Sequence, residues 1–149
     1  RFMSDSPELR FLRGYKDAIM YFNMLDRNLA YNLRWVSSAN GRERTLETFL
    51  AYAFDKKVKL TTTLIRSKGL EAIYTGFLVL AEQCRTARNG LVHGHWEFVP
   101  RAEQPIRYHV VAPIAEQGAF DQRSFERFVT TFAEANTLFI KLSKMHPLV

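Results

Sequence analysis

Phe11, Tyr15, Ala18, Phe22, Leu25, Leu29 and Val36 follow one another at alternating steps of four and three, with Asn32 as the one polar interruption. That spacing draws an apolar stripe along one side of a long helix, and such a helix must bury its stripe against partners. Ser6-Pro7 supplies a start and Asn40-Gly41 a stop, so the first helix is expected from about Pro7 to Val36. Gly14 weakens its first turns and marks a candidate break.

The same period returns three more times. A second helix is expected from near Thr45, with Leu46, Phe49, Leu50, Ala53 and Phe54 on one side, continuing through Leu60, Leu64 and Ile65 to Gly69. The run Thr61-Thr62-Thr63 is poor helix sequence within it. A third covers Leu70 to about Val92, with Ile73, Phe77, Leu80, Cys84, Ala87 and Leu91 as its buried stripe. The fourth opens where Asp121 can cap it and Phe120 can staple onto Phe125, and turns Phe125, Phe128, Phe132, Ala135, Phe139 and Leu142 inward. Between the third and fourth, the period drops to two. Trp96 and Phe98 alternate with Glu97 and Val99, and Ile106, Tyr108 and Val110 with Arg107, His109 and Val111. Pro100 and Pro105 bracket a polar turn, Arg101-Ala102-Glu103-Gln104. The expected fold is mainly all-α: an antiparallel four-helix up-down bundle, one domain over residues 1–149, with a β-hairpin inserted at about 95–113.

A chain of 149 residues that is 47% hydrophobic and holds twelve Phe can bury one real core. The single cysteine, Cys84, forbids an internal disulfide and a thiolate-rich zinc site, and among apolar neighbours it reads as an inert buried thiol. No apolar run reaches bilayer-spanning length and no signal-peptide pattern opens the chain, so the expectation is a cytoplasmic protein without a membrane partner. The first residue is Arg1, which leaves room for residues upstream. A net charge of +6 and a pI near 9.7 suit an anionic partner such as nucleic acid. The basic residues gather as Lys56-Lys57-Val58-Lys59 with Arg66 and Lys68, then Arg85 with Arg88. A solvated helix face explains the first group at least as well as an RNA track does.

The chemistry-bearing stretch is Arg88-Asn89-Gly90-Leu91-Val92-His93. It sets a permanent cation that grips phosphate oxygens beside an imidazole that titrates near neutrality. Five residues along an ideal α-helix turn through about 500°, which leaves Arg88 and His93 roughly 140° apart. Asn89 and His93, at i and i+4, share a side, and Arg85, Asn89, His93 and Trp96 make a polar stripe beside the core stripe. Gly90 and Gly94 loosen the helix end, across which a long Arg side chain can swing toward the ring. The structural account is simpler: Asn-Gly and His-Gly terminate helices, and an imidazole near a helix C-terminus gains from the dipole.

This string resembles the signature of the HEPN superfamily, an Arg followed four to six residues later by His, commonly with a polar residue such as Asn directly after the Arg. Its place near the end of a late helix, in a helical bundle, is also similar to that family. The resemblance implies a metal-independent endoribonuclease that works as a homodimer, often as a toxin of a toxin–antitoxin pair or an antiviral effector. Arg88, His93 and Asn89 would be its catalytic residues. It also implies a cognate antitoxin or a nucleotidyltransferase as regulator. Some toxin members carry a modifiable Tyr two residues after the His, a place held here by His95. Other members have lost activity and only bind RNA, nucleotides or partners. That catalytically inactive module is the competing reading.

Cleavage of RNA by its own 2′-hydroxyl needs a base, an acid for the leaving 5′-oxygen, and positive charge at the phosphorane. One chain offers one well-placed His; two chains meeting near their third helices would offer two, with both Arg88 side chains on phosphate oxygens. Arg85, His95 and Trp96 are the candidate RNA contacts, Trp96 by stacking on a base, although anchoring the hairpin to the bundle is the simpler account of it. A His93-x-His95 metal site lacks a carboxylate or thiol at matching spacing, and no cofactor is expected. His109 reads as a strand residue, and Glu82 as an ion-pair partner of Arg85 at i+3. No Gly-rich phosphate loop, Gly-x-Ser-x-Gly elbow or His-Glu-x-x-His occurs.

Overall fold

Ser6 caps the first helix, its Oγ accepting the Leu9 N–H at 3.2 Å, and Pro7 sits in the first turn. From there α1 runs unbroken over Pro7–Ala39, until Asn40 caps it and Gly41 takes φ 72° to turn the chain away. The computed structural model describes residues 6–42, 44–98, 106–110, 117–119 and 122–149. Gly14 does not break α1. A Cβ there would lie 2.9 Å from Phe125 Cδ2, so the glycine is where the ring of another helix seats against the backbone.

The second helix of the sequence reading is two helices, α2 (Leu46–Ala51) and α3 (Phe54–Ser67). Tyr52 and Ala53 between them are extended, with ψ of 144° and 151°. The break has a packing reason. Phe49 enters a small cluster with Ala30 and Leu33, whereas Phe54 enters the main core against Phe22, their ring centroids 4.9 Å apart. Five residues apart on one straight helix, those rings would diverge by about 140°. Leu50 and Ala53, expected inside, are exposed. The threonine run stays helical, with Thr62 and Thr63 hydroxyls donating to the Val58 and Lys59 carbonyls, four residues back. Gly69, at φ 68°, then turns the chain into α4 (Glu71–His93).

The last helix, α5, spans Gln122–Met145. The Asp121 cap and the Phe120 staple fall outside the described residues. After α4 the backbone is extended over β1 (Gly94–Phe98), β2 (Ile106–Val110) and β3 (Gln117–Ala119), antiparallel in the order β1-β2-β3. In register, His95 lies opposite His109 and Trp96 opposite Tyr108. The expected turn at 101–104 lies outside the described residues.

The chain is mainly helical, and its five described helices alternate in direction. Phe11 meets Phe125, Phe22 meets Phe132, and Asn28 Nδ2 donates to Asn136 Oδ1 at 2.6 Å, so α1 and α5 run the same way. Lys57 meets Asp26 as Phe54 meets Phe22, so α3 also runs with α1. Among the long described helices α4 opposes them: Phe77 meets Phe139, Cys84 meets the Thr131 carbonyl, and Tyr15 reaches the Leu91 carbonyl. The expected count of four helices is corrected by the short α2, which brings the chain back along α1 before α3 starts, so the alternation runs over five helices and leaves the first and last parallel. A stripe of buried residues cannot encode this, because it is the same whichever way the helix points.

Within α4, Tyr74 rather than Ile73 is buried; its hydroxyl donates to the His146 carbonyl at 2.7 Å, while Ile73 faces out. The Lys56–Lys59 group is not a uniformly solvated face. Lys57 is 1% exposed, and its ammonium donates to both Asp26 carboxylate oxygens, at 2.9 and 2.8 Å, and to the Leu50 carbonyl at 3.2 Å.

Candidate active site

Arg88 is positioned by α4 and by the inner side of α1. It sits four residues past Cys84 and three before Leu91, both fully buried, so its stem leaves the helix beside the core. The side chain is half-buried, Nη1 donates to Asn89 Oδ1 at 3.3 Å, and Cζ lies 5.9 Å from the centroid of the Phe22 ring. The ring face thus supports the cation, and the neutral amide holds one edge of its planar fork. Tyr15 pins this end of α4, its hydroxyl donating to the Leu91 carbonyl at 3.1 Å. Phe22 and Tyr15 were legible only as core stripe; nothing in their spacing announced that they frame an arginine.

The helix does not loosen at Gly90. It continues through His93, and Gly94 opens β1. Positions 88 and 93 therefore differ by about 7.5 Å along the axis and about 140° around it, while 89 and 93 stay one turn apart on one side. Within one chain, Asn89 is the neighbour of position 93. The swing of Arg88 across a frayed end is not available to an intact helix. The side chains of His93, His95 and Trp96 lie outside the described residues.

Arg85 is engaged elsewhere. Its Nε donates to both Glu82 carboxylate oxygens at 3.1 Å, and its terminal nitrogen meets Glu82 Oε1 as well. This pairing with Arg85 lowers the Glu82 pKa and raises that of Arg85. The ion pair at i+3 is the one the spacing suggested. Both partners are solvent-facing, so an incoming phosphate could displace the carboxylate at little cost.

Cys84 is buried, with Sγ 3.7 Å from the Thr131 carbonyl, and burial pushes its thiol up to about 12. It is a packing residue, not a nucleophile. Among the described residues no group of three His, Cys, Asp or Glu is placed to hold a metal ion. No described helix is long and apolar enough to cross a membrane. A shallow groove between α1 and α5, lined by Asn28, Tyr31, Trp35 and Lys144, lies at the other end of α1 from Tyr15 and its α4 partner.

No family model, curated protein or solved structure matches this chain.

Proposed function

We propose that this chain is a metal-independent endoribonuclease of HEPN type. What carries the reading is a half-buried Arg88 bonded to Asn89, with Asn89 one helical turn before His93 on an unbroken α4. Arg88 holds a non-bridging oxygen of the scissile phosphate, where negative charge grows in the phosphorane. Asn89 orients the phosphate or the imidazole. His93 of one chain takes the 2′-hydroxyl proton, and His93 of a second chain gives a proton to the departing 5′-oxygen. The two α4 ends meet around one cleft, because a single chain carries a single histidine of this kind. Arg85, His95 and Trp96 extend the contact along the RNA, and the segment between α4 and α5, inserted as a hairpin, flanks the cleft. A cytoplasmic toxin or antiviral effector, restrained by an antitoxin or a nucleotidyltransferase, is the setting such an enzyme fits.

The products carry a 2′,3′-cyclic phosphate, and EDTA leaves the rate unchanged. Purified protein is incubated with RNA in EDTA beside Arg88→Ala and His93→Ala. Cleavage by the parent chain and its loss in both folded variants is the expected result. Intact RNA in all three would leave the second reading, a catalytically silent RNA- or nucleotide-binding module. That reading is favoured by the packing of Arg88 on Phe22, which a purely structural arginine also adopts.

A further inference from the structure

The core side of α1 is Ala18, Phe22, Leu25, Leu29 and Val36. Its far side is not the charged face expected of a surface helix. Leu9, Met20, Met24, Tyr31 and Trp35 are 40–51% exposed there. With the exposed Arg13, Asp17 and Arg27 they fall within an arc of about 80°, along about 39 Å of helix. Three charged residues interrupt the five apolar ones, so the face reads as a mixed seam rather than a continuous apolar patch.

The order of residues in the band names the partner. Read outward from the level of residue 22, it goes Met20, Asp17, Arg13, Leu9 toward the start of α1 and Met24, Arg27, Tyr31, Trp35 toward its end. Steps of three and four mirror each other on any helix face, so the residue types carry the argument: Met20 mirrors Met24, and Asp17 mirrors Arg27. We propose that this face binds the same face of a second copy, antiparallel, about a two-fold axis beside residue 22. Such an isologous pairing sets Met20 against the partner's Met24, Asp17 against the partner's Arg27, and Leu9 against the partner's Trp35. Every acidic position meets a basic one, and the central contacts are thioether on thioether, which tolerates imperfect fit. The five apolar side chains alone offer about 500 Å² per protomer, and with the polar ones the pair approaches the lower range of specific interfaces. A parallel arrangement would stack Asp17 on Asp17 and Arg27 on Arg27.

This contact is distinct from the α4 contact of the ribonuclease reading. Arg88 meets Phe22 on the opposite side of α1, so α1 pairing does not bring two Arg88 side chains together. A chain using both contacts would assemble beyond a dimer.

The test reads mass, not RNA cleavage, so it stands or falls apart from the enzyme reading. Sedimentation of the whole chain at tens of micromolar is compared with Met20→Glu/Met24→Glu, whose circular dichroism should be unchanged. Halving of the assembly mass is expected. Asp17→Arg and Arg27→Asp alone should each weaken self-association about tenfold or more, and the two together should restore it. A parent chain that is monomeric at these concentrations overturns the proposal, as does a double-glutamate variant of undiminished mass. Failure of the double charge swap to recover what the single swaps lose overturns the antiparallel register. RNA binding lost in the glutamate variant of a monomeric chain would assign the band to nucleic acid instead.

Discussion

Two cations lean on the inner side of α1 four residues apart, Lys57 from α3 onto Asp26 and Arg88 from α4 onto Phe22, and they are held in opposite ways. Lys57 is enclosed, and all three of its donors end on oxygens of its own chain. Arg88 is half-buried, rests on an aromatic face, and shares a donor with a neutral amide. A cation saturated by a carboxylate and a carbonyl has nothing to offer a ligand and works as a clamp between helices. Arg88 instead carries its charge on an aromatic face, and on the ribonuclease reading it is this fork that meets the phosphate.

The comparison breaks first at Asp26. Asp26→Asn leaves the Lys57 ammonium enclosed without its counter-charge, and chemical denaturation should show a loss of about 3–5 kcal/mol. Lys57→Met, which removes the charge but keeps the stem, should cost far less. Equal losses in the two variants would mean that the ion pair itself, and not the stranding of a buried charge, sets the effect. Next in size is Gly14→Val, which drives a side chain into the Phe125 ring and should lower stability by about 1–3 kcal/mol. Arg88→Ala should shift the melting temperature only slightly, a loss of about 1 kcal/mol from the stem and its ring contact, and on the ribonuclease reading it abolishes RNA cleavage. A variant that unfolds instead would place Arg88 with Lys57 in the scaffold.

Alkaline titration probes the α4–α5 seam. Burial holds the Cys84 thiol up at about 12, well above its ordinary value, and raises the Tyr74 phenol in the same direction. Groups with raised folded-state values contribute stability that is intact below the unfolded pKa and fades as pH climbs toward the folded one. Unfolding free energy should therefore be flat near neutrality and fall from about pH 8.5 upward, with Cys84→Ala flattening part of that slope. An unchanged slope in that variant would show the thiol ionising without unfolding. Arg85→Ala should register least, at most about 0.5 kcal/mol, because its pair with Glu82 is solvent-facing.

Much of the helical content was legible because caps and stripes are local. Ser6-Pro7, Asn40-Gly41 and the phenylalanine series from Phe125 to Phe139 mark their elements without reference to anything distant. Three features were not. The break at Tyr52-Ala53 carries no proline or glycine, and only the need of Phe49 and Phe54 for different clusters reveals it. Helix direction has no sequence marker at all. Lys57 hides inside a run of lysines, although Phe54, Thr61 and Ile65 at three, four and eight residues from it trace the buried stripe it belongs to. At the candidate site, the Arg-Asn pair and its helix were readable, whereas the Phe22 platform comes from 66 residues away in the chain and depends on α1 and α4 opposing each other.

The side-by-side run of α1 and α5 also bears on how the chain is made. Asn28 and Asn136 are 108 residues apart, so the ribosome releases α1 long before the helix that completes its burial. Through that interval α3 and α4 are the only described helices of length available to shelter Phe22 and Leu29, and final closure waits on late-emerging Phe132 and Phe139. Nascent fragments ending before α5 should therefore be the species most dependent on chaperones.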